Sequence, residues 1–218
     1  MSYVPPVNRI FEKLIYKRLT SFFGANDLLY ESQHDFREKH FSKCAITDVV
    51  NRIQNNMDKG MFSCVIFIGL EKAFDTVDHA ILLSKLTRCR IRSIILDWFA
   101  CYLKCRSQVI QIGENSSPKE LNLCGVPQGS VLGPLLFLIF INDIHKSSNK
   151  LQFFHSLPKI LHLLFVHKNL ELLEKFINTE LREVSEWLIV NKLTLNIKKP
   201  NYVIFHHQLG IVSRHQQS

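Results

Sequence analysis

Carboxylates are the groups through which proteins hold hard divalent cations. This chain places two, Glu71 and Asp75, directly after the apolar run at residues 62–70 (FSCVIFIGL). A second apolar stretch, residues 151–166 (LQFFHSLPKILHLLFV), contains no Asp or Glu. Between the two lies a Pro127-Gln128-Gly129 turn, whose glycine permits close approach of a backbone to a ligand. Near the C-terminus a basic pair, Lys198 and Lys199, precedes Pro200. Soft-metal chemistry has no comparable pattern. The six cysteines (Cys44, Cys64, Cys89, Cys101, Cys105, Cys124) lie in apolar segments without a CxxC pair, and His155, His162, His167, His206 and His207 have no zinc-ligand spacing. Reduced core thiols in an intracellular protein, nuclear or cytoplasmic, are expected.

Elements to position these residues are legible from periodicity. Ile10, Phe11, Leu14, Ile15, Leu19, Phe22 and Phe23 recur at helical spacing between Asn8, a candidate cap, and Gly24. A second helix is predicted from Ser42 through Ala45, Ile46, Val49, Val50 and Ile53 to a capping Gly60. Residues 62–70 read as a strand covered on both faces, because the run is apolar throughout and rich in β-branched residues. Asp78 should cap a helix (DHAILLSKLTR), and another should carry Ile94, Ile95, Trp98, Phe99 and Leu103. Residues 109–112 and 121–123 look like short strands, 130–146 like a buried helix, and 169–192 like a long amphipathic one. Strand-like stretches at 193–197 and 202–205 close the pattern. The mixed order points to an α+β fold in one domain of 218 residues.

The formal net charge of +8 favours an anionic partner such as nucleic acid. The longest apolar run, residues 131–141, is interrupted by Gly133 and Pro134. It is shorter than the ~20 residues that a membrane helix needs. The N-terminal MSYVPPVNRIFEK has no signal-peptide core. A soluble protein without a membrane partner is therefore expected.

Three stretches are more specific: FIGLEKAFDTVDH at 67–79, CGVPQGSVLGPLLFLIFINDI at 124–144, and SEWLIVNKLTLNIKKPNYVIF at 185–205. In this order they resemble successive palm motifs of reverse transcriptases from jockey-like and related non-LTR retrotransposons. NRIFEKLIYKRL at 8–19 and SQHDFREKH at 32–40 add to the match, which covers nearly the whole chain. The resemblance implies the fingers and palm of a right-handed polymerase, with an antiparallel palm sheet backed by helices. It places fingers-side helices at about 1–60, palm at about 61–206 and a tail at 207–218, without a complete thumb, in a fragment of a larger polyprotein.

It also implies the chemistry. Polymerases of this kind use two Mg²⁺ ions about 3.5–4 Å apart, held by three Asp side chains, to extend a primer on an RNA or DNA template with dNTPs. At the first of these positions this chain has Gly69, and the paired Asp of the family's F-A-D-D motif falls near Lys159 and Ile160. No catalytic residue is intact by this comparison, so the expected product is an inactive RNA-directed DNA polymerase with no bound Mg²⁺. Pro158 should also interrupt hydrogen bonding in a hairpin strand there. Other matches imply a surviving nucleotide and template site: Arg37 near the triphosphate, Phe74 at the sugar, Pro127, Gln128 and Gly129 against nucleotide and template, and Lys199 near pyrophosphate. Each has a plainer alternative: a surface arginine, a core phenylalanine, a structural turn, a basic strand end. Lys72 and Asp75 match the motif and are read as structural. Two further readings stay open, a nucleic-acid-binding protein without chemistry and an active polymerase whose metal site is rebuilt from Glu71, Asp75 or Asp143.

Overall fold

A computed structural model of the chain describes residues 6–30, 42–104, 107–109, 111–113, 115–118, 120–127, 129–148, 153–157, 160–196, 201–207 and 210–215. In chain order its elements begin with helices α1 (Pro6–Ala25) and α2 (Ser42–Asp58), strand β1 (Phe62–Glu71), and helices α3 (His79–Arg88) and α4 (Ile94–Lys104). Four two-residue strands follow: β2 (Ser107–Gln108), β3 (Gln111–Ile112), β4 (Asn115–Ser116) and β5 (Glu120–Leu121). Next come α5 (Gly133–Ile141) with a 3-10 turn (Asn142–Ser147), the strands β6 (Phe153–Leu157) and β7 (Ile160–His167), and α6 (Leu170–Val190). β8 (Thr194–Leu195), β9 (Asn201–His206) and β10 (Gly210–His215) complete the described chain.

The main sheet has the order β10-β9-β1-β7-β6, with β8 pairing the far end of β1, and every pairing is antiparallel. β1 is therefore central, which is why its sequence is apolar on both faces. On the rear face Cys64, Ile66 and Leu70 of β1 and Leu161, Leu163 and Phe165 of β7 join the main core with α3, α5 and α6. Alternation sends Val65, Leu164 and Val166 to the front, where Ile53 of α2 completes a second, smaller core. α5 is apolar all round, and its residues Leu135 to Ile141 are all buried, as a helix enclosed on every side requires.

Local chemistry sets several boundaries, two of them, at Gly60 and Asp78, as predicted. Gly60 ends α2 with φ +65°, its N–H donating to Met57 O at 2.9 Å while Met61 N–H donates to Asn56 O at 2.9 Å. Asp78 caps α3 through Ile81 N–H at 3.0 Å, and Asn169 caps α6 through Leu172 N–H at 3.0 Å.

Several expectations need correction. α1 starts at Pro6, not after Asn8, and proline suits a first helical position because its missing N–H would have no partner there. Its buried stripe is Glu12, Leu19 and Phe23, whereas Ile10, Phe11 and Leu14 are exposed. α5 begins at Gly133 and not at Ser130, since the Ser130 hydroxyl takes the Gly133 N–H at 2.9 Å. The strands read at 109–112 and 121–123 are instead β2 paired with β5 and β3 paired with β4, and Leu121 and Leu123 are exposed. Of the cysteines expected in the core, Cys64 is buried, Cys89 is half-buried, and Cys101 and Cys124 are exposed. Burial pushes the Cys64 thiol up to about 12. Within the stretch read as a tail, β10 pairs with β9 at the sheet edge.

Candidate functional site

The register of β1 against β7 brings together two of the three positions that the motif comparison assigns to metal binding. Gly69 lies directly opposite Ile160, the first residue of β7. Cross-strand partners share a face, so Gly69 and Ile160 project with Phe67 and His162, and with Val65 and Leu164, toward the front of the sheet. α2 covers that face around Val65. Ile160 is 39% exposed, so this end of the front face is open to solvent. β6 and β7 pair as antiparallel neighbours, with Leu157 opposite Ile160. Lys159, Pro158, Arg37, Gln128 and Lys199 lie outside the described residues.

Gly69 is a strand residue of ordinary φ, and its carbonyl accepts the Asn196 N–H at 2.9 Å. A Cβ built there meets only Asn196 Cβ, at 3.4 Å. Backbone conformation therefore does not demand glycine, and a methyl group there would meet Asn196 at close to van der Waals distance. Glu71 also points to the front at strand periodicity, and it is exposed at the end of β1.

After β1 the chain turns sharply. Lys72 has φ +46°, and its carbonyl accepts the N–H of Asp75 at 2.7 Å and of Thr76 at 3.1 Å. Ala73 and Val77 are buried, which anchors the turn and leaves Lys72 and Asp75 outward. Phe74 is half-buried, its ring 5.0 Å from that of Phe137 on α5. It stands at the edge of the main core, partly open to solvent.

The segment before α5 is laid across this turn. Gly125 N–H donates to Val77 O at 2.8 Å, Val126 N–H to Phe74 O at 2.7 Å, and His79 Nε2 lies 2.8 Å from Gly125 O. Gly125 has φ +88°, and a Cβ there would sit 2.9 Å from Asp75 O and 3.1 Å from Phe74 O. Only glycine allows so close a crossing of two backbones. The next turn is braced from within, because Ser130 Oγ donates to Pro127 O at 2.8 Å while accepting from Gly133 N–H. Gly129 has φ +81° and open space around it. Of the residues expected to contact nucleotide and template, Phe74 and Pro127 thus lie on adjoining braced turns, and Gly129 stands exposed beside them.

Two functional-looking groups escaped the sequence reading. Gly125 is one; a glycine three residues before a Gln-Gly pair carries no local signal of the crossing it permits. Glu12 is the other. It is 2% exposed, its Oε1 accepting the Tyr102 hydroxyl at 2.9 Å and its Oε2 the Val131 N–H at 2.8 Å. Its signal was its position on the 12–16–19–23 stripe of α1, whose other members are Tyr16, Leu19 and Phe23.

The remaining acidic residues named as possible metal ligands do not gather. Asp143 is bound to Lys85 Nζ at 2.6 Å, where the ammonium also donates to Phe140 O and lies 4.5 Å above the Trp187 ring. Burial lowers the Lys85 pKa, and its hydrogen bond to the Asp143 carboxylate opposes that shift. Asp78, beside the turn, caps α3 and pairs with Lys192 Nζ at 2.7 Å, contacts that lower its pKa. Among the described residues no three His, Cys, Asp or Glu side chains form a group able to hold a metal ion. No helix among them is long and apolar enough to cross a membrane.

The pattern of the reverse transcriptase (RNA-dependent DNA polymerase) family matches residues 1–212. A probable RNA-directed DNA polymerase from transposon X-element of Drosophila melanogaster is 30% identical over 144 residues, which are 66% of this chain and 16% of that protein. The RNA-directed DNA polymerase from mobile element jockey of the same species is 32% identical over a stretch of the same extent. The chain thus spans about 16% of the length of these relatives. Among solved structures, apo telomerase from Candida tropicalis, truncated from the C-terminal domain, aligns over 95% of this chain and 40% of its own, with a TM-score of 0.57 and 12% identity. Telomerase from Candida albicans, in complex with the TWJ fragment of telomeric RNA, aligns over 91% and 35% with a TM-score of 0.56 and 12% identity. At that identity the telomerases speak for the fold alone, a polymerase fingers and palm of helices and antiparallel sheet. Family pattern, curated relatives and fold agree: this chain belongs to the reverse transcriptase family and is similar to the RNA-directed DNA polymerases of jockey-like retrotransposons.

Proposed function

We propose that this chain is a reverse transcriptase palm that has lost nucleotidyl transfer and keeps a surface for template and primer. The observation that carries the reading is the pairing of Gly69 with Ile160 on the open front of the sheet. Two-metal phosphoryl chemistry needs negative oxygen donors converging at such a spot, because Mg²⁺ takes hard ligands in strict octahedral geometry. A hydrogen atom and a sec-butyl group supply none. The donor set does not fit the Mg²⁺ pair on which the family relies.

Retention of strand binding is favoured by the braced backbone at Phe74, Val126 and Pro127, and by the net charge of +8. Gly69, Lys159 and Ile160 are the degenerate metal positions in this reading. Arg37, Phe74, Pro127, Gln128, Gly129 and Lys199 form the nucleotide and template surface, with an RNA or DNA template-primer and dNTPs as the ligands it fits.

Manganese titration followed by electron paramagnetic resonance tests the first half. The unmodified chain should take up no stoichiometric pair of ions. Two tight sites that vanish on Asp75→Ala would show a rebuilt centre and end the proposal. Fluorescence anisotropy with a labelled RNA–DNA hybrid tests the second half. Affinity should exceed that of an unrelated protein of equal charge and fall steeply with salt.

A further inference from the structure

We infer that Glu12 is a positioning residue, which holds the peptide at 129–133 in the conformation that meets the template. The inference rests on the proposed strand-binding role of that segment and assigns the part that sets its height above the palm.

Just before this segment, Gly125 and Val126 tie the chain to the turn at 74–77, and within it the local contacts are those of Ser130 with Pro127 O and Gly133 N–H. A Cβ on Gly133 would fall 2.6 Å from Pro127 O, so this end is closed upon itself. The Val131 N–H reaches across 119 residues of sequence to Glu12 Oε2 on α1. Glu12 Oε1 is held in turn by the Tyr102 hydroxyl of α4. One carboxylate thus joins two helices to the peptide between Gly129 and Gly133.

Packing does not explain a carboxylate at this place. Leu19 and Phe23 share its stripe, and an apolar side chain would fill it without the cost of taking a charge out of water. What an apolar residue cannot do is accept the Val131 N–H. Glutamine can, with Oε1 toward Val131 and Nε2 toward a Tyr102 oxygen that accepts instead of donating.

Three variants separate positioning from simple bracing of helices. Glu12→Leu suits the stripe and removes both acceptors, Glu12→Gln keeps both contacts, and Tyr102→Phe breaks only the helix-to-helix half. In native-state hydrogen exchange, Glu12→Leu should speed the amides of residues 129–133 by about tenfold, the equivalent of one lost charge-assisted hydrogen bond, with β1 unchanged. Its affinity for an RNA–DNA hybrid should fall by a similar factor. Glu12→Gln and Tyr102→Phe should leave both readings within about twofold of the unmodified chain. Equal behaviour of Glu12→Leu and Tyr102→Phe in exchange overturns the inference, as does failure of Glu12→Gln to preserve slow exchange. Should the unmodified chain bind the hybrid no better than a charge-matched protein, the proposed function falls, and the exchange result alone still decides the role of Glu12.

Discussion

Replacing Gly125 by alanine should be among the most damaging small substitutions outside the core, and its cost can be worked from two terms. The first is conformational. A non-glycine residue in the left-handed region costs about 1–2 kcal/mol, and Gly125 has φ +88°. The second is steric, since the new methyl would lie 2.9 Å from Asp75 O, 3.0 Å from Asp75 Cα and 3.1 Å from Phe74 O. These are backbone atoms, and moving them strains the bonds from Gly125 N–H to Val77 O at 2.8 Å and from Val126 N–H to Phe74 O at 2.7 Å. Each such bond contributes about 0.5–1.5 kcal/mol net, so Gly125→Ala should cost roughly 2–5 kcal/mol in all. Gly129→Ala is the internal control. Its φ is +81° with open space around it, so only the first term, about 1–2 kcal/mol, applies. Urea unfolding followed by the fluorescence of Trp98 and Trp187 measures both. Equal costs for the two variants would refute the crossing of segments 124–127 and 74–77.

Acid should weaken the fold through His162, whose pKa burial lowers from 6.5. The unfolded chain then binds the extra proton first, so stability is lost as pH falls below 6.5 toward the folded value; in urea midpoints between pH 7.5 and 5, His162→Phe should show a shallower decline, and an identical slope would contradict it. Brief alkylation of the native chain should label Cys101 and Cys124, which are exposed, and spare Cys64 until denaturant is added; early labelling of Cys64 on peptide mapping would contradict its burial. Lys85→Met should destabilise the chain by about 1–3 kcal/mol, discounted because the Asp143 partner is one-third exposed, and a neutral urea midpoint would deny the pair a structural role.

Most of the framework was legible in the sequence because local and tertiary signals agree there. β1 is apolar on both faces and stands in the middle of the sheet, and Asp78, Asn169 and Gly60 act at helix ends as their types demand. Legibility failed where tertiary contacts override a local pattern. The apolar residues of early α1 and α4 predict a buried face, yet Ile10, Leu14 and Ile94 are exposed and the polar Glu12 is inside. Ser130 reads as part of a helix, but its hydroxyl closes the turn before one. β10, with Ser213, Arg214 and His215 in its sequence, lacks the apolar alternation by which edge strands are found. The site divides the same way. Motif order proposes Gly69 and Ile160 as metal positions, whereas their direct opposition depends on a strand register that no local signal encodes.

Primer extension on an RNA template, run with Mg²⁺ and again with Mn²⁺, bears most directly on the proposed loss of chemistry. With glycine and isoleucine facing each other where carboxylates would have to converge, no template-dependent product should form with either ion. Product that depends on template and disappears in Asp75→Ala would contradict the account.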